Sequence, residues 1–294
     1  MNKPVFGMAG CPPNFFASPL GKNRKNIFKW AKEQGIDAIE WQCTYGIRMP
    51  EEQAIEYRKL AEEYNIYLSM HAPYYVSLAS QKPDVVERSK ATIKEAYRLA
   101  EILGIDRIIF HPGGGASDDR ATGINRIITA LNELEPELNT DKIKIYPEIG
   151  GKINQLGSLD EIIEICKKVK YARPCIDLAH LHAREMGSMT SSDKIVEVME
   201  KIEEELGRDI LEATHFHVYP VEYSNGGEKR HRVFGEKIET EQQTLFEEDA
   251  EYDPKAEDYI AALKQMNLKP VTICEAHDTQ DEGAILMKQI YFNR

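Results

Sequence analysis

Short apolar or β-branched runs alternate with longer amphipathic segments from one end of the chain to the other, and no low-complexity linker interrupts them. The short runs read as strands: PVFGMAG from Pro4, DAIEWQC from Asp37, IYLSMHAP from Ile66, DRIIFHPG from Asp106, KIKIYPEIG from Lys142, ARPCIDLAH from Ala172, THFHVYP from Thr214 and KPVTICEAH from Lys269. Segments such as EEQAIEYRKLAEEY, SKATIKEAYRLAEILG and SDKIVEVMEKIEEELG carry charge on one face and Ile, Leu, Val and Ala on the other, which predicts helices. Gly35, Gly104 and Gly207 stand where left-handed caps would end helices, and Ser158 and Asp160 where one would begin.

Strands alternating with helices predict a parallel α/β protein. Eight strand-helix units of about 30 residues each are what a (β/α)8 TIM barrel requires, so the chain is expected to form one such domain over 1–294. A doubly wound open sheet is the alternative, but GMAGCPP after the first strand lacks the glycine spacing of a phosphate loop. The polar stretch VEYSNGGEKRHRVFGEKIETEQQTLFEEDAEYDP, about 220–253, predicts a long loop after strand seven on the carboxyl face of the barrel.

Composition narrows the class. The chain has 294 residues, 42% of them hydrophobic, enough for a large core. No stretch approaches the roughly 20 apolar residues of a membrane span, and MNKPVFGMAGCPPNFF lacks the basic start and apolar core of a signal peptide. A cytoplasmic protein with no membrane partner is expected. Cysteines at 11, 43, 166, 175 and 274 form no CxxC pair, so they read as reduced thiols. With 37 Lys and Arg against 49 Asp and Glu, the formal charge of −12 excludes a protein that holds nucleic acid by bulk charge.

Candidate chemistry gathers at the carboxyl ends of the strands. His71 ends the third, His111 the fourth, Glu148 the fifth, Asp177 and His180 the sixth, His215 and His217 the seventh, Glu275 and His277 the eighth. A lone histidine there is ordinarily a hydrogen-bonded core residue. Together in a barrel these side chains converge on one mouth, where they would repel or stay unsatisfied without a cation. Mixed imidazole and carboxylate donors suit zinc, manganese or iron, and no cysteine joins the cluster, which points to a catalytic site. Cys175 and Cys274 read as packing residues. Lys22, Arg24, Lys25, Arg48, Lys152, Arg184, Lys229, Arg230 and Arg232 fall in loops expected at the same mouth.

The motifs SMHAPYYVSLAS, IIFHPGG, YPEIGGK, CIDLAHLHA, HFHV, GEKRHRVFGE and ICEA, in this order over nearly the whole chain, resemble the endonuclease IV family, apurinic/apyrimidinic endonucleases of the xylose-isomerase-like barrels. The resemblance implies a zinc-dependent hydrolase of DNA repair with two or three ions, or manganese in their place. One ion would sit on His71, His111 and Glu148. A second would share Glu148 and add Asp177, His217 and Glu275, with His217 preferred to His215 because Phe216, His217 and Val218 match the family's apolar-His-apolar run. A third would use His180 and His231 with a carboxylate. There the chain departs from the family, whose usual Asp is Lys229 here, so Glu228 is expected to supply the oxygen.

The implied reaction is hydrolysis of the phosphodiester 5′ to an abasic site in damaged double-stranded DNA by a metal-bridging hydroxide, with Glu148 catalytic. Tyr74 and Tyr75 match the family's wedge into the duplex, and Arg48 its second intercalating loop. The alternative is a sugar isomerase or epimerase of the same superfamily, which would hold one ion on Glu148, Asp177, His217 and Glu275 and leave His71, His111, His180 and His231 without a task.

Overall fold

A parallel eight-stranded sheet runs in the order β5-β4-β3-β2-β1-β10-β7-β6. Its strands are β1 (Val5–Ala9), β2 (Ala38–Gln42), β3 (Tyr67–His71), β4 (Arg107–Phe110), β5 (Lys144–Pro147), β6 (Cys175–Asp177), β7 (His215–His217) and β10 (Val271–Cys274). Each lies within one of the expected runs. The outer strands β5 and β6 meet through parallel bridges at Ile145 and Ala172 and at Glu148 and Cys175, which closes the sheet into a TIM barrel. These relations come from a computed structural model that describes residues 3–113, 119–238 and 250–293.

Helices α1 (Pro13–Ala17), α2 (Ile27–Gln34), α3 (Glu51–Tyr64), α4 (Pro83–Leu103), α5 (Arg120–Leu134), α6 (Leu159–Lys168), α7 (Leu178–Arg184), α8 (Ser192–Leu206), α9 (Arg208–Ala213), α10 (Ala256–Gln265) and α11 (Gln280–Phe292) connect the strands. Their apolar faces cover the barrel. In α4, Ile93, Ala96, Tyr97, Ala100 and Leu103 are buried, and α5 turns Ile124, Ile127, Ile128 and Leu131 inward. Gly35 and Gly104 end α2 and α4 in the left-handed conformation, as their positions predict. Gly207 has a positive φ of 91° but an extended ψ of 159°, so it turns the chain directly into α9. Ser158 caps α6 in a box with Glu161.

The stretch expected as a plain loop after strand seven contains a hairpin. β8 (Val221–Ser224) pairs antiparallel with β9 (Gly227–His231), with a register shift between Glu222 and Tyr223. The turn is Asn225-Gly226, a pair suited to the positive φ values of a tight hairpin. Their pairing carries Glu228 and His231 back beside His180. Residues 239–249 of the acidic segment lie outside the described residues, as do Gly114 and Gly115 of the HPGGG run. All five cysteines are free, and Cys43, Cys175 and Cys274 are buried. Among the described residues no helix is long and apolar enough to cross a membrane.

Candidate metal centre

Parallel strands deliver their last residues to one end of the barrel, and here those residues are acids and imidazoles. His71 ends β3, Asp177 ends β6 and His217 ends β7, while His111, Glu148 and Glu275 follow the ends of β4, β5 and β10. Asp177 also begins α7: its Oδ1 accepts from the His180 backbone N–H at 2.7 Å, which sets His180 one turn along the helix beside the same mouth. Glu228 and His231 arrive on β9.

Glu148 is the hub. Its Oε2 lies 2.9 Å from His71 Nε2 and 3.3 Å from His111 Nδ1, while its Oε1 lies 2.7 Å from His217 Nδ1. His217 Nδ1 is also 3.9 Å from both Asp177 Oδ2 and Glu275 Oε2. On the far side, Glu228 places Oε2 3.2 Å from His180 Nε2 and Oε1 3.0 Å from His231 Nε2. Three of the five groups with metal-ligand spacing among the described residues join these side chains, His71–His111–Glu148, Glu148–Asp177–His217–Glu275 and His180–Glu228–His231; the other two are Glu148–Cys175–His217 and Glu40–His215–His217. Lys229 turns away and pairs with Glu222. Close approach in the third group depends on Gly151, since a Cβ there would stand 2.5 Å from Glu228 Oε2 and 2.6 Å from His180 Cδ2.

The electrostatics fit a cation. Burial alone would raise the Glu148 pKa, yet the rings of His111, His217 and His71 hold it well below the usual carboxylate range. Burial would lower His71 and His180, but Glu148 lifts the first to about 9, and Asp177, Glu228 and Glu148 lift the second to about 10. Burial dominates at Asp177, raised to about 6, and at His111, lowered to about 4. Protons on imidazoles thus balance the buried carboxylates, a role that divalent ions fill with more charge. His111 Nδ1 is buried with no hydrogen-bond partner, aimed at the centre. The donor chemistry, imidazole plus carboxylate, is that of zinc, manganese or iron.

Other residues separate into roles. His215, two residues from His217 on β7, points to the barrel interior instead of the three groups, and His277 is half exposed beside Asp278. His182 accepts from the Met189 N–H at 3.1 Å inside the protein. Cys175 Sγ lies within ligand spacing of Glu148 and His217, but burial holds it as a thiol, consistent with packing. A cavity of about 240 Å³ opens over the cluster, with Gln42, Thr44 and Tyr74 among its walls. Tyr74 is 61% exposed on that wall; Tyr75, 49% exposed, and Tyr45, absent from the sequence reading, each stand edge-on to it with ring centres 6.0 Å away. Arg48 is exposed and lines a neighbouring cavity with Arg24, Trp41 and Gln42.

Sequence reasoning also passed over Glu40. It is fully buried in β2, its Oε2 3.0 Å from His215 Nε2 and its Oε1 3.2 Å from His217 Nε2. The signal was present: an acid between Ile39 and Trp41 in an apolar strand, the same anomaly that marks Glu148 and Glu275.

A family model described as xylose isomerase-like TIM barrel matches residues 28–290. An uncharacterized protein of Methanocaldococcus jannaschii is 27% identical over 286 residues, 97% of this chain and 96% of that protein. A probable endonuclease 4 of Halothermothrix orenii is 28% identical over 178 residues, which span 58% of this chain and 64% of that protein. Endonuclease IV from Thermus thermophilus superposes with a TM-score of 0.65 at 14% identity, covering 99% of each chain. A D-tagatose 3-epimerase-like protein gives 0.67 at 19% identity, over 98% of this chain and 96% of that one. At these identities the two superpositions speak for the fold alone.

Proposed function

This chain belongs to the xylose isomerase-like TIM-barrel family, and within that family we propose that it is a divalent-metal phosphodiesterase, cutting damaged DNA on the 5′ side of an abasic sugar. One observation carries the reading: His71, His111, His180 and His231 complete two further ligand groups around Glu148 and Glu228. An isomerase or epimerase would need only Glu148, Asp177, His217 and Glu275, and would leave those four histidines idle.

Bound in these groups, divalent ions would supply charge neutralisation at phosphorus and a water acidic enough to ionise near neutral pH. The protein's part is arrangement. Glu148 directs one oxygen to His71 and His111 and the other to His217, so it can tie two groups into one unit. Asp177 is fixed by the Tyr219 hydroxyl, which donates to Oδ2 at 3.0 Å, and by the His180 N–H. Burial of Glu148, Asp177 and His217 keeps bulk water from competing for their charges. At the rim, Tyr74 and Tyr75 offer the flat apolar surfaces on which a base or a sugar turned out of the duplex can rest.

Elemental analysis of the zinc-reconstituted protein tests the reading. About three ions per chain is the expected result for three ligand groups, and a single ion would favour the isomerase.

A further inference from the structure

In three histidines of the cluster the second ring nitrogen lies against a backbone carbonyl. His71 Nδ1 lies 2.8 Å from Ala72 O, His180 Nδ1 2.9 Å from Ile149 O, with Asp177 Oδ2 also 3.2 Å away, and His231 Nδ1 2.8 Å from Glu275 O. In those rings Nε2 is thereby left to face the cluster. His217 is turned the other way. Its Nδ1 faces Glu148, Asp177 and Glu275, and its Nε2 faces no carbonyl but the carboxylate of Glu40, 3.2 Å away.

Glu40 is built into this position. It has no solvent exposure, and a carboxylate buried in a barrel interior is costly unless it is held by donors. Ser69 Oγ donates to its Oε2 at 2.9 Å, and Gln42 Nε2 donates to its Oε1 at 3.2 Å. Its remaining partners are the Nε2 atoms of His215 and His217, both buried, both off the ideal hydrogen-bond line to it and both without a hydrogen-bond partner elsewhere among the described residues. A purely structural ion pair would be complete with His215 alone. Glu40 instead divides its two oxygens between a core histidine and a histidine of the candidate metal centre.

We propose that Glu40 is a positioning residue for His217: it accepts the Nε2–H, fixes the ring's orientation and tautomer, and leaves Nδ1 as the atom offered to a divalent ion. A carboxylate behind a ligand histidine also makes the imidazole a stronger donor than a carbonyl does. The pair thus sharpens the group Glu148–Asp177–His217–Glu275, the one that the phosphodiesterase and isomerase chemistries share. The inference rests on the metal reading of that group and not on which reaction it runs.

Zinc binding to the full chain tests it, by competition with a chromophoric chelator. Glu40→Gln keeps the volume and removes the charge. The variant should lose affinity for one zinc by about 10- to 100-fold, while the zinc assigned to His180, Glu228 and His231 keeps its wild-type affinity. In the zinc-loaded wild type, ¹⁵N-histidine NMR should show a slowly exchanging, downfield Nε2–H on His217 that moves upfield in Glu40→Gln. Wild-type zinc affinity in the variant overturns the proposal, as does an equal loss at every site, which would mark a general folding defect. A His217 ring bound through Nε2 overturns it as well. A wild-type chain that takes up no zinc overturns both this and the metal reading beneath it, whereas failure to cut DNA leaves it standing.

Discussion

Glu228 Oε1 lies 3.0 Å from His231 Nε2, although the two residues are separated by Lys229 and Arg230 on β9. They are three apart, not the two that the resemblance to endonuclease IV implies, and between them the hairpin shifts register, with Glu222 opposite Arg230 and Tyr223 opposite Glu228. Lys229 faces Glu222 on the outer side of the hairpin.

That geometry makes a paired prediction. Glu228→Gln should lower the zinc content by about one ion per chain, since a ligand carboxylate becomes a weak neutral donor. Lys229→Ala should leave the content unchanged. Atomic absorption on the two purified variants is the check, and a full complement in Glu228→Gln would remove Glu228 from the centre.

The rim tyrosines should affect substrate binding and not metal. Stacking on an aromatic ring contributes about 1–3 kcal/mol per base, so the double variant Tyr74→Ala, Tyr75→Ala should bind an abasic duplex at least about tenfold more weakly. Fluorescence anisotropy with a labelled duplex measures the affinity and elemental analysis the metal. Unchanged affinity would send both residues back to ordinary loop packing.

Most of the fold was legible because barrel strands are short, apolar and regularly spaced, and each observed strand of the closed sheet lies inside an expected run. The hairpin β8–β9 was harder to see, because its side chains are mostly polar and face solvent or the mouth. Its Asn225-Gly226 turn was the cue. At the centre, strand-end acids and histidines were readable as anomalies in apolar runs. Glu40 carried the same anomaly but sits mid-strand, where only the closed barrel reveals that it faces His217. The alternation of His215 and His217 could not by itself say which reaches the cluster. Their registers opposite Cys175 and Asp177 put His217 nearer the mouth.

The basic rim also looks different in three dimensions. Lys25 pairs with Glu56, Lys229 with Glu222, and Arg232 with Glu222 and Glu236, while Arg184 donates to the carbonyls of Gly150 and Gln155. Lys22, Arg24, Arg48, Lys152 and Arg230 have no carboxylate within ion-pair distance among the described residues. So thin a cationic rim on a chain of net charge −12 should bind DNA only through the centre. Chelation of the ions is therefore expected to abolish binding of the abasic duplex in a filter or anisotropy assay. Tight binding by the stripped protein would shift the main contact to those five side chains.

Acid should loosen the wall of the site through Glu161. Burial alone would raise its pKa, but Arg120 and the backbone N–H groups of Ser158 and Gly157 outweigh it and hold the folded value below 4.5. The unfolded chain binds this proton more readily, so the contribution is complete above about pH 4.5 and is lost as pH falls through the folded value. Glu161→Gln should cost about 1–3 kcal/mol at neutral pH and flatten the acid limb of a thermal-unfolding profile. An acid limb as steep as the wild type's would clear Glu161 of that role. The segment it holds includes Gly157, whose carbonyl accepts from Gly150 N at 2.9 Å, next to Gly151 beneath Glu228.

One assay asks directly whether the three joined groups serve phosphodiester cleavage. The zinc-reconstituted protein is incubated with an end-labelled duplex carrying a single abasic site, and the products are sized on a denaturing gel. One nick immediately 5′ to the abasic sugar is expected, leaving a 3′-hydroxyl that a polymerase can extend, with no nick by the chelated protein or by Glu148→Gln. An intact duplex at full metal loading, with the same preparation interconverting a ketose and its epimer, would contradict that role.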